Sequence, residues 1–322
     1  MPDSIGLLNK MGISSVANWT DAFTAVTAYV PFIDETLTSN FERSQQQELV
    51  GQGGRLPSYQ SNRVTQGTTK HHLDYDTWTL ITAVLGNVSA GTISIVDRLT
   101  SGSSKYFWLE FDKGHIRHRF GAAKPMKLRI AIEKNGIVGV DADWYCRSFE
   151  ASATAMASLT MPVTKKVLFK ELTFRLGDQV DALNSGDDLG VENFELVLDR
   201  TAKADDYAMN ATAAVAQLPL EVLENDFRVV SLSAKIPRYA ADSIVTWKQS
   251  DTALQATIYG TSSDGTFTIK MPNLRIVDGF NVNIGGPGPL SQEGSLELYR
   301  STNTSHPMHP GVTMNEFEIV YT

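Results

Sequence analysis

The sequence predicts a mainly β protein made of two tandem antiparallel β-barrel or β-sandwich domains, each with a short flanking α-helix. Three observations support this fold class: runs in which apolar and polar residues alternate, turn residues between those runs, and a pattern that recurs once along the 322 residues. We place the domains at residues 1–160 and 161–322, and the connection between them at about residues 151–161, where small, weakly polar residues precede a proline.

The alternation of apolar and polar residues is clearest on both sides of Asn135-Gly136. Apolar residues occupy every second position before this pair and again after it, as far as Cys146. Asn-Gly between two such runs is a strong hairpin signal. A second hairpin is predicted around residues 262–265. Further strands are predicted by three more alternating sets: Leu172, Phe174 and Leu176; Phe194, Leu196 and Leu198; Phe317, Ile319 and Tyr321.

One helix is predicted in each half. Asp76 is placed to cap the first, and Gly86 suits its C-terminal end. A weaker counterpart runs from about Asp242 through Trp247. We expect these helices to cover the sheets and Trp78 and Trp247 to pack inside. The apolar face of the first helix consists of Leu80, Ile81, Val84 and Leu85.

The two halves share a pattern at an offset of about half the chain, which is typical of an internal repeat. Copies of a chain with two similar β-rich halves could close into a ring that uses the repeat as pseudo-symmetry. The recurring features are Val64 and Val229, Trp78 and Trp247, Phe107 and Phe267, and the Gly/Pro stretches 121–125 and 286–289.

The composition argues against several classes of protein. Asp and Glu outnumber Lys and Arg by 36 to 28, so the net charge of −8 disfavours a protein that grips nucleic acid through many phosphate contacts. A single cysteine rules out an intramolecular disulfide framework, and no apolar run approaches the roughly 20 residues of a membrane span. Because the N-terminal residues lack the pattern of a signal peptide, we expect folding in the cytoplasm.

No catalytic, cofactor or metal site is predicted. The glycine-rich stretches 51–54 and 285–288 do not continue into Gly-Lys-Ser/Thr and are interpreted as loops. On a strand, His115 and His118 fall on opposite faces, as do the adjacent His71 and His72. Asp141 and Asp143 share a strand face that we expect to be solvated, and Cys146 shares a face with Trp144 and is predicted to be a buried thiol.

The order of several short motifs resembles the tail tube proteins of long-tailed bacteriophages, in particular the larger, duplicated kind. The resemblance covers nearly the whole chain and depends on the order of its motifs, which are short and degenerate. These motifs are Ala-Tyr-Val-Pro-Phe-Ile-Asp-Glu-Thr-Leu at 28–37, Gly-Gly-Arg at 53–55, Val-Thr-Gln-Gly at 64–67, Leu-Gly at 85–86, Glu-Asn-Phe-Glu-Leu-Val-Leu-Asp at 192–199, Pro-Arg-Tyr at 237–239, Ile-Lys-Met-Pro at 269–272 and Gly-Pro-Gly at 286–288.

The resemblance implies a virion protein of the phage tail, assembled in the host bacterial cytoplasm. Its rings would stack into the hollow tube through which DNA is ejected, with no membrane contact. A duplicated chain would form the ring from three copies, as a pseudo-hexamer, with six as the second choice. The implied partners are the tape measure, tail terminator and distal tail proteins, and the duplication favours a sheathless siphovirus tail.

Two loops are predicted to contribute to the stacking of rings, because long loops in compact domains are commonly functional. The candidates in the first loop are Gly51, Gln52, Gly54, Arg55 and Tyr59, and those in the second are Lys203, Asp205, Asp206 and Tyr207.

Other functions stay open at this point. A tail terminator or distal hub ring protein would use similar β-domains but stop at one ring. A tandem β-sandwich that binds carbohydrate could use Tyr59, Trp108 or Tyr239 as stacking surfaces, although such aromatics are more often core or interface residues. An enzyme is the least supported class.

Overall fold

The structure is a computed structural model of the chain. It describes residues 9–45, 58–75, 78–96, 105–114, 116–152, 154, 156, 158–162, 165–203, 207, 218–224, 226–237, 243–281 and 291–322. In these residues the fold is mainly antiparallel β with two α-helices, which confirms the predicted mainly β class, while the tandem arrangement of two domains stays a prediction.

The strands and helices follow each other in similar order in the two halves of the chain. Helix α1 spans Thr79–Leu85 and helix α2 spans Ser243–Gln249. The first eleven strands are β1 Lys10–Val16, β2 Ala28–Val30, β3 Asp34–Glu35, β4 Thr38–Ser44, β5 Tyr59–His72, β6 Gly86–Ser89, β7 Thr92–Ile95, β8 Tyr106–Asp112, β9 Arg117–Ile132, β10 Gly139–Cys146 and β11 Ser148–Ser152. The other nine are β12 Leu172–Asp178, β13 Asn193–Asp199, β14 Ala202–Lys203, β15 Leu223–Glu224, β16 Val229–Ile236, β17 Leu254–Ser262, β18 Gly265–Gly279, β19 Gln292–Leu298 and β20 Glu318–Tyr321.

Local sequence explains the turns and helix ends. Strands β9 and β10 form the hairpin predicted at Asn135-Gly136, where Asn135 takes a left-handed φ of 62°. Helix α1 ends at Gly86, whose φ of 93° places its N–H on the Thr82 carbonyl. Both predicted helices are therefore confirmed. Their proposed caps, Asp76 and Asp242, lie outside the described residues.

The same order of strand neighbours occurs twice. In the first half it is β4–β5–β10–β9–β8–β1, and in the second it is β13–β16–β19–β18–β17–β12. Strand β11 flanks β9 in the first half, and β20 flanks β18 in the second. Helix α1 follows β5, and α2 follows its counterpart β16. The division at residue 160 stays a prediction.

The irregularities of pairing also repeat, and they fix the correspondence of individual residues. The β9–β10 pairing skips Met126, and the β18–β19 pairing skips Val277. A second irregularity lies in β8–β9 between Phe107 and Leu109, and its counterpart lies in β17–β18 between Leu254 and Ala256. Such β-bulges are features that a fold retains, so Met126 and Val277 are equivalent positions.

This correspondence changes part of the sequence alignment. Val64 and Val229 lie on the equivalent strands β5 and β16. Phe107 and Phe267, however, lie on β8 and β18, which are not equivalent. Matching similar letters at one constant offset fails there because the segments between the strands differ in length.

The largest such difference precedes the last strand. Strand β10 ends at Cys146 and β11 begins at Ser148, whereas β19 ends at Leu298 and the next strand along the chain, β20, begins only at Glu318. The inserted segment contains His306 and His309, both buried, whose rings stack with their centroids 4.5 Å apart. The first half has no counterpart of this segment, because only Arg147 separates β10 from β11.

One apolar core runs through both halves. Trp144 is among its largest buried side chains and donates its indole N–H to Thr69 Oγ1 over 2.9 Å. Cys146 belongs to the same core, and burial raises the pKa of its thiol well above the usual range, as expected of a structural cysteine. Trp78 is buried in this core and Trp247 packs against it, which confirms both as packing residues.

Candidate assembly surface

The two halves join edge to edge through strands β9 and β13. In this antiparallel junction Leu128 pairs with Leu198 and Ile130 pairs with Leu196, and all four side chains are buried. The result is a sheet that continues from β4 in the first half to β18 in the second. Because β13 adds to a strand edge of the other half, the junction shows how one repeat of this fold accepts another.

Arg129 crosses the solvent face of this junction. Its Nη1 lies 3.1 Å from Asp141 Oδ2 on β10, and its Nη2 lies 2.9 Å from Glu195 Oε2 on β13. These hydrogen bonds raise the pKa of Arg129, the bond with Glu195 having the largest effect, and they lower the pKa of Glu195. The three side chains are partly exposed, so each pair adds at most about 1 kcal/mol. On the strand face that was predicted to be solvated, Asp141 thus forms an ion pair with Arg129.

A buried arginine forms a second connection between the halves. Arg200 follows β13 and donates to the carbonyls of Val84 and Leu85, each 3.2 Å away, and to that of Val96 at 3.3 Å. Its Nη1 lies 3.4 Å from Glu224 Oε2, and both side chains are almost completely buried. Burial lowers the pKa of Arg200 despite this carboxylate. The guanidinium thereby ties the end of helix α1 to the second half.

Arg228 reinforces the same contact. Its Nη2 lies 2.8 Å from Glu316 Oε2 and its Nε 3.0 Å from Glu316 Oε1, while Nη1 donates to the Val96 carbonyl over 3.2 Å. Asn315 donates to the carbonyl of Ile95. This group was not predicted from the sequence, because its members lie far apart in the chain. The signal that could have drawn attention to it is the pair of arginines at the two ends of a loop rich in small residues.

The segment 218–224 packs on the first half. Trp19 donates its indole N–H to the Pro219 carbonyl over 3.2 Å, and Lys124 donates to the Val222 carbonyl over 2.7 Å. Val222 belongs to a separate apolar cluster with Trp19 and Met126. Segment 218–224 therefore covers the part of β9 that lies next to the junction.

Two strand edges that correspond to this junction carry no neighbouring strand among the described residues. Strand β4, the counterpart of β13, pairs only with β5. Strand β18 is the counterpart of β9, and its pairing with β17 stops at Leu274. Beyond Leu274, the edge of β18 that β17 occupied has no neighbouring strand among the described residues. Val277 on this stretch is 56% exposed, whereas the equivalent Met126 is buried. Exposed edges of this kind are surfaces on which another β-strand can pair.

The structure places part of each predicted stacking loop. Tyr59 begins β5 and is exposed, Lys203 is in β14, and the Tyr207 hydroxyl donates to the Arg63 carbonyl on β5 over 3.0 Å. The first loop links β4 to β5 and the second follows β13, so both leave equivalent strands, and Tyr207 brings the second loop beside β5. Six candidates lie outside the described residues: Gly51, Gln52, Gly54, Arg55, Asp205 and Asp206.

The described residues bear on metal binding, membrane insertion and sugar binding. The residues that the structure describes contain no group of three or more His, Cys, Asp or Glu side chains placed to hold a metal ion. In the same part of the chain, no helix is both long and apolar enough to cross a membrane. Trp108 is buried, so it offers no stacking surface for a sugar, and Tyr239 lies outside the described residues.

Comparison with known protein families gives a match over most of the chain. A family model described as phage tail tube protein matches residues 9–298, nearly the whole chain. Among curated proteins no match to this sequence was found. The family match spans both halves, including the β9–β13 junction and the strand edges of β4 and β18.

Proposed function

Because the chain belongs to the phage tail tube protein family, we propose that its copies assemble into stacked rings that form the hollow tube through which DNA passes into the host. The family establishes a structural role in the virion tail and points away from an enzyme. The observation that carries the ring proposal is the continuous β9–β13 sheet, since it shows one repeat of the fold already joined to another by strand pairing.

We propose a ring of three chains. Each chain contains the order of strand neighbours twice, so three chains supply six similar units around the bore. A head-to-tail contact between unlike surfaces closes into a ring when its rotation fits a whole number of copies. Closure would also cover the strand edges that otherwise promote uncontrolled aggregation.

We propose that the loops after β4 and β13 mediate contact between successive rings. Support comes from their equivalent positions, since loops that leave equivalent strands lie at the same end of a pseudo-symmetric ring. The test is to shorten each loop, within residues 46–57 and 208–217, and to count rings and tubes. We expect rings without long tubes. Normal tube growth after both deletions would contradict the stacking role.

The ring itself is tested by concentrating the purified chain and imaging it by negative-stain electron microscopy, with native mass spectrometry for stoichiometry. Hollow tubes with a three-chain repeat are expected. Six chains in each ring would contradict the trimer. Single rings that never stack would favour a tail terminator or distal hub protein. The tape measure, terminator and distal tail proteins are the proposed partners, and their addition should fix the length of the tube.

A further inference from the structure

The two ends of the β9–β13 junction present different surfaces. At one end, which we call the loop end, Asp199 pairs with Lys127, and both predicted stacking loops leave the sheet on this side. At the other end, the turn end, Phe194 pairs with Ile132 next to the Asn135-Gly136 turn. Strands around a bore run along its axis with a tilt of roughly 35–45°. In a stack of rings that all point the same way, the loop end of one ring therefore faces the turn end of the next.

Phe227 projects from the loop end. It lies two residues before Val229, which pairs with Asp199, and its side chain is 90% exposed. Its backbone is held in place, since its carbonyl accepts from Thr201 Oγ1 over 3.2 Å and its N–H donates to Asp226 Oδ1 over 2.7 Å. Three more apolar side chains of the same segment are exposed: Leu220, Leu223 and Val229. A group of exposed apolar side chains around an aromatic residue is typical of a surface that binds another protein.

An apolar cavity of about 390 Å³ lies at the turn end. Its floor consists of the buried core residues Ile132, Phe174, Phe194 and Ile258. Phe169, at its rim, donates its N–H to the Gly136 carbonyl over 3.1 Å, which places the cavity beside the β9–β10 turn. Because an apolar cavity of about 150 Å³ can hold a benzene ring, the side chain of a phenylalanine fits into this one.

We propose that Phe227 of one ring inserts into this cavity on a chain of the next ring. This inference rests on the proposed function, whose contact between successive rings it specifies. The phenylalanine and the cavity lie at opposite ends of the junction, so a chain cannot fill its own cavity. A contact between two such unlike surfaces continues from copy to copy in one direction, as the growth of a tube requires.

The charges beside the two surfaces are complementary. Asp226, which precedes Phe227, is exposed, and so is Lys170 at the cavity. Insertion of Phe227 brings these opposite charges together at the rim of the contact, where charge pairs guide the approach of two partners more than they tighten binding. Asp188, at the same cavity, is already paired, because its Oδ1 lies 2.6 Å from Arg175 Nε.

Tube growth of the full chain tests the contact from both sides. Phe227→Ser removes the apolar side chain, and Gly190→Trp fills the cavity from its rim, where an added Cβ meets no atom within 4 Å. Both variants should form rings and unfold at the temperature of the unmodified chain. Each should need at least about tenfold more protein for tube growth, because full burial of a phenylalanine side chain changes an equilibrium constant by more than that factor. The control is Ile116→Ser, an exposed apolar residue of the β8–β9 turn that belongs to neither surface.

Mixing the two variants shows whether these surfaces meet each other. Rings of Phe227→Ser keep an open cavity, and rings of Gly190→Trp keep the phenylalanine. In negative-stain images we expect the mixture to contain pairs of rings, which neither variant forms alone. An exchange of charges gives an independent check: the double variant Asp226→Lys with Lys170→Glu should grow tubes faster than either single variant.

The outcomes separate this contact from the proposed function. Tubes that both variants form as readily as the unmodified chain, or a mixture without paired rings, would overturn the contact and leave the tube in place. An unmodified chain that associates through these surfaces without forming hollow tubes would reject only the proposed function. A chain that does not associate at all would reject both.

Discussion

The buried Arg200 provides the sharpest test of how the two halves are held together. We consider Arg200→Met, which keeps the length of the side chain but removes its charge and its donors. Three carbonyls, those of Val84, Leu85 and Val96, lose a charged donor, and the buried Glu224 loses its nearby guanidinium. Two of these carbonyls belong to the last turn of α1, where a positive charge is favourable.

The expected loss in the free energy of unfolding is about 4 kcal/mol. Removing one partner of a buried ion pair costs about 3–5 kcal/mol, because the remaining charge is left uncompensated. Two of the three carbonyls keep a donor, since the Val96 N–H still bonds to Leu85 and Arg228 Nη1 still bonds to Val96. Unsatisfied acceptors therefore add little to this loss. Adding Glu224→Gln removes the carboxylate that Arg200 had faced, so the double variant should be no less stable than Arg200→Met alone.

Urea denaturation of the dilute, unassembled chain, followed by tryptophan fluorescence, measures these differences. Arg43→Met is the matched control, since Arg43 is an exposed arginine on β4, and it should change stability by no more than about 0.5 kcal/mol. The reasoning would be refuted if Arg200→Met lost less than about 1 kcal/mol, or if Glu224→Gln made the arginine variant distinctly less stable.

Three further predictions concern pH, packing and assembly. Burial lowers the pKa of His71 from 6.5 to about 4. Between those values the unfolded chain binds the proton more tightly, so stability falls as the pH is lowered through this window, by at most about 3 kcal/mol. His71→Asn should flatten the curve of stability against pH in this range. An unchanged slope would show that His71 is not the residue responsible. Gly121→Ala places a Cβ against the Trp108 ring and should cost about 1–3 kcal/mol in thermal or urea unfolding. Gly190→Ala is the control, because its added Cβ meets no atom within 4 Å. If both substitutions changed the stability equally, the contact with Trp108 would not be the cause. Lys248 donates to the Gly279 carbonyl at the exposed edge of β18. Lys248→Ala frees this carbonyl and should shorten the lag of assembly seen by light scattering several-fold, whereas the control Lys134→Ala should not. An unaltered lag would show that Lys248 does not protect the edge of β18.

Local chemistry allowed much of the fold to be predicted. The β9–β10 and β17–β18 hairpins follow from alternation and turn residues within a few positions of each other. Helix α1 follows from one apolar face and a terminal glycine. Tyr59 was placed in the first candidate loop, but it begins β5, and β4 before that loop continues to Ser44. Polar residues at a solvated edge strand do not alternate with apolar ones, so they look like loop residues.

The candidate assembly surface was predicted only in part. The sequence indicated repeated β-rich halves and two loops, but it could not indicate that β13 pairs with β9 or that β18 is left with an open edge. The contacts of Arg200 were not predictable either, since its acceptors are backbone carbonyls more than 100 positions away in the chain.

By itself, the sequence determined the fold class, the hairpins, the helices and the resemblance to tail tube proteins, because each depends on periodicity, turn residues or motif order along the chain. Tertiary structure alone decided which distant strands meet, which bulges correspond and which edges stay open. The physical reason is that backbone hydrogen bonds between strands are nearly independent of residue type. Choice of partner therefore depends on the packing of the whole chain.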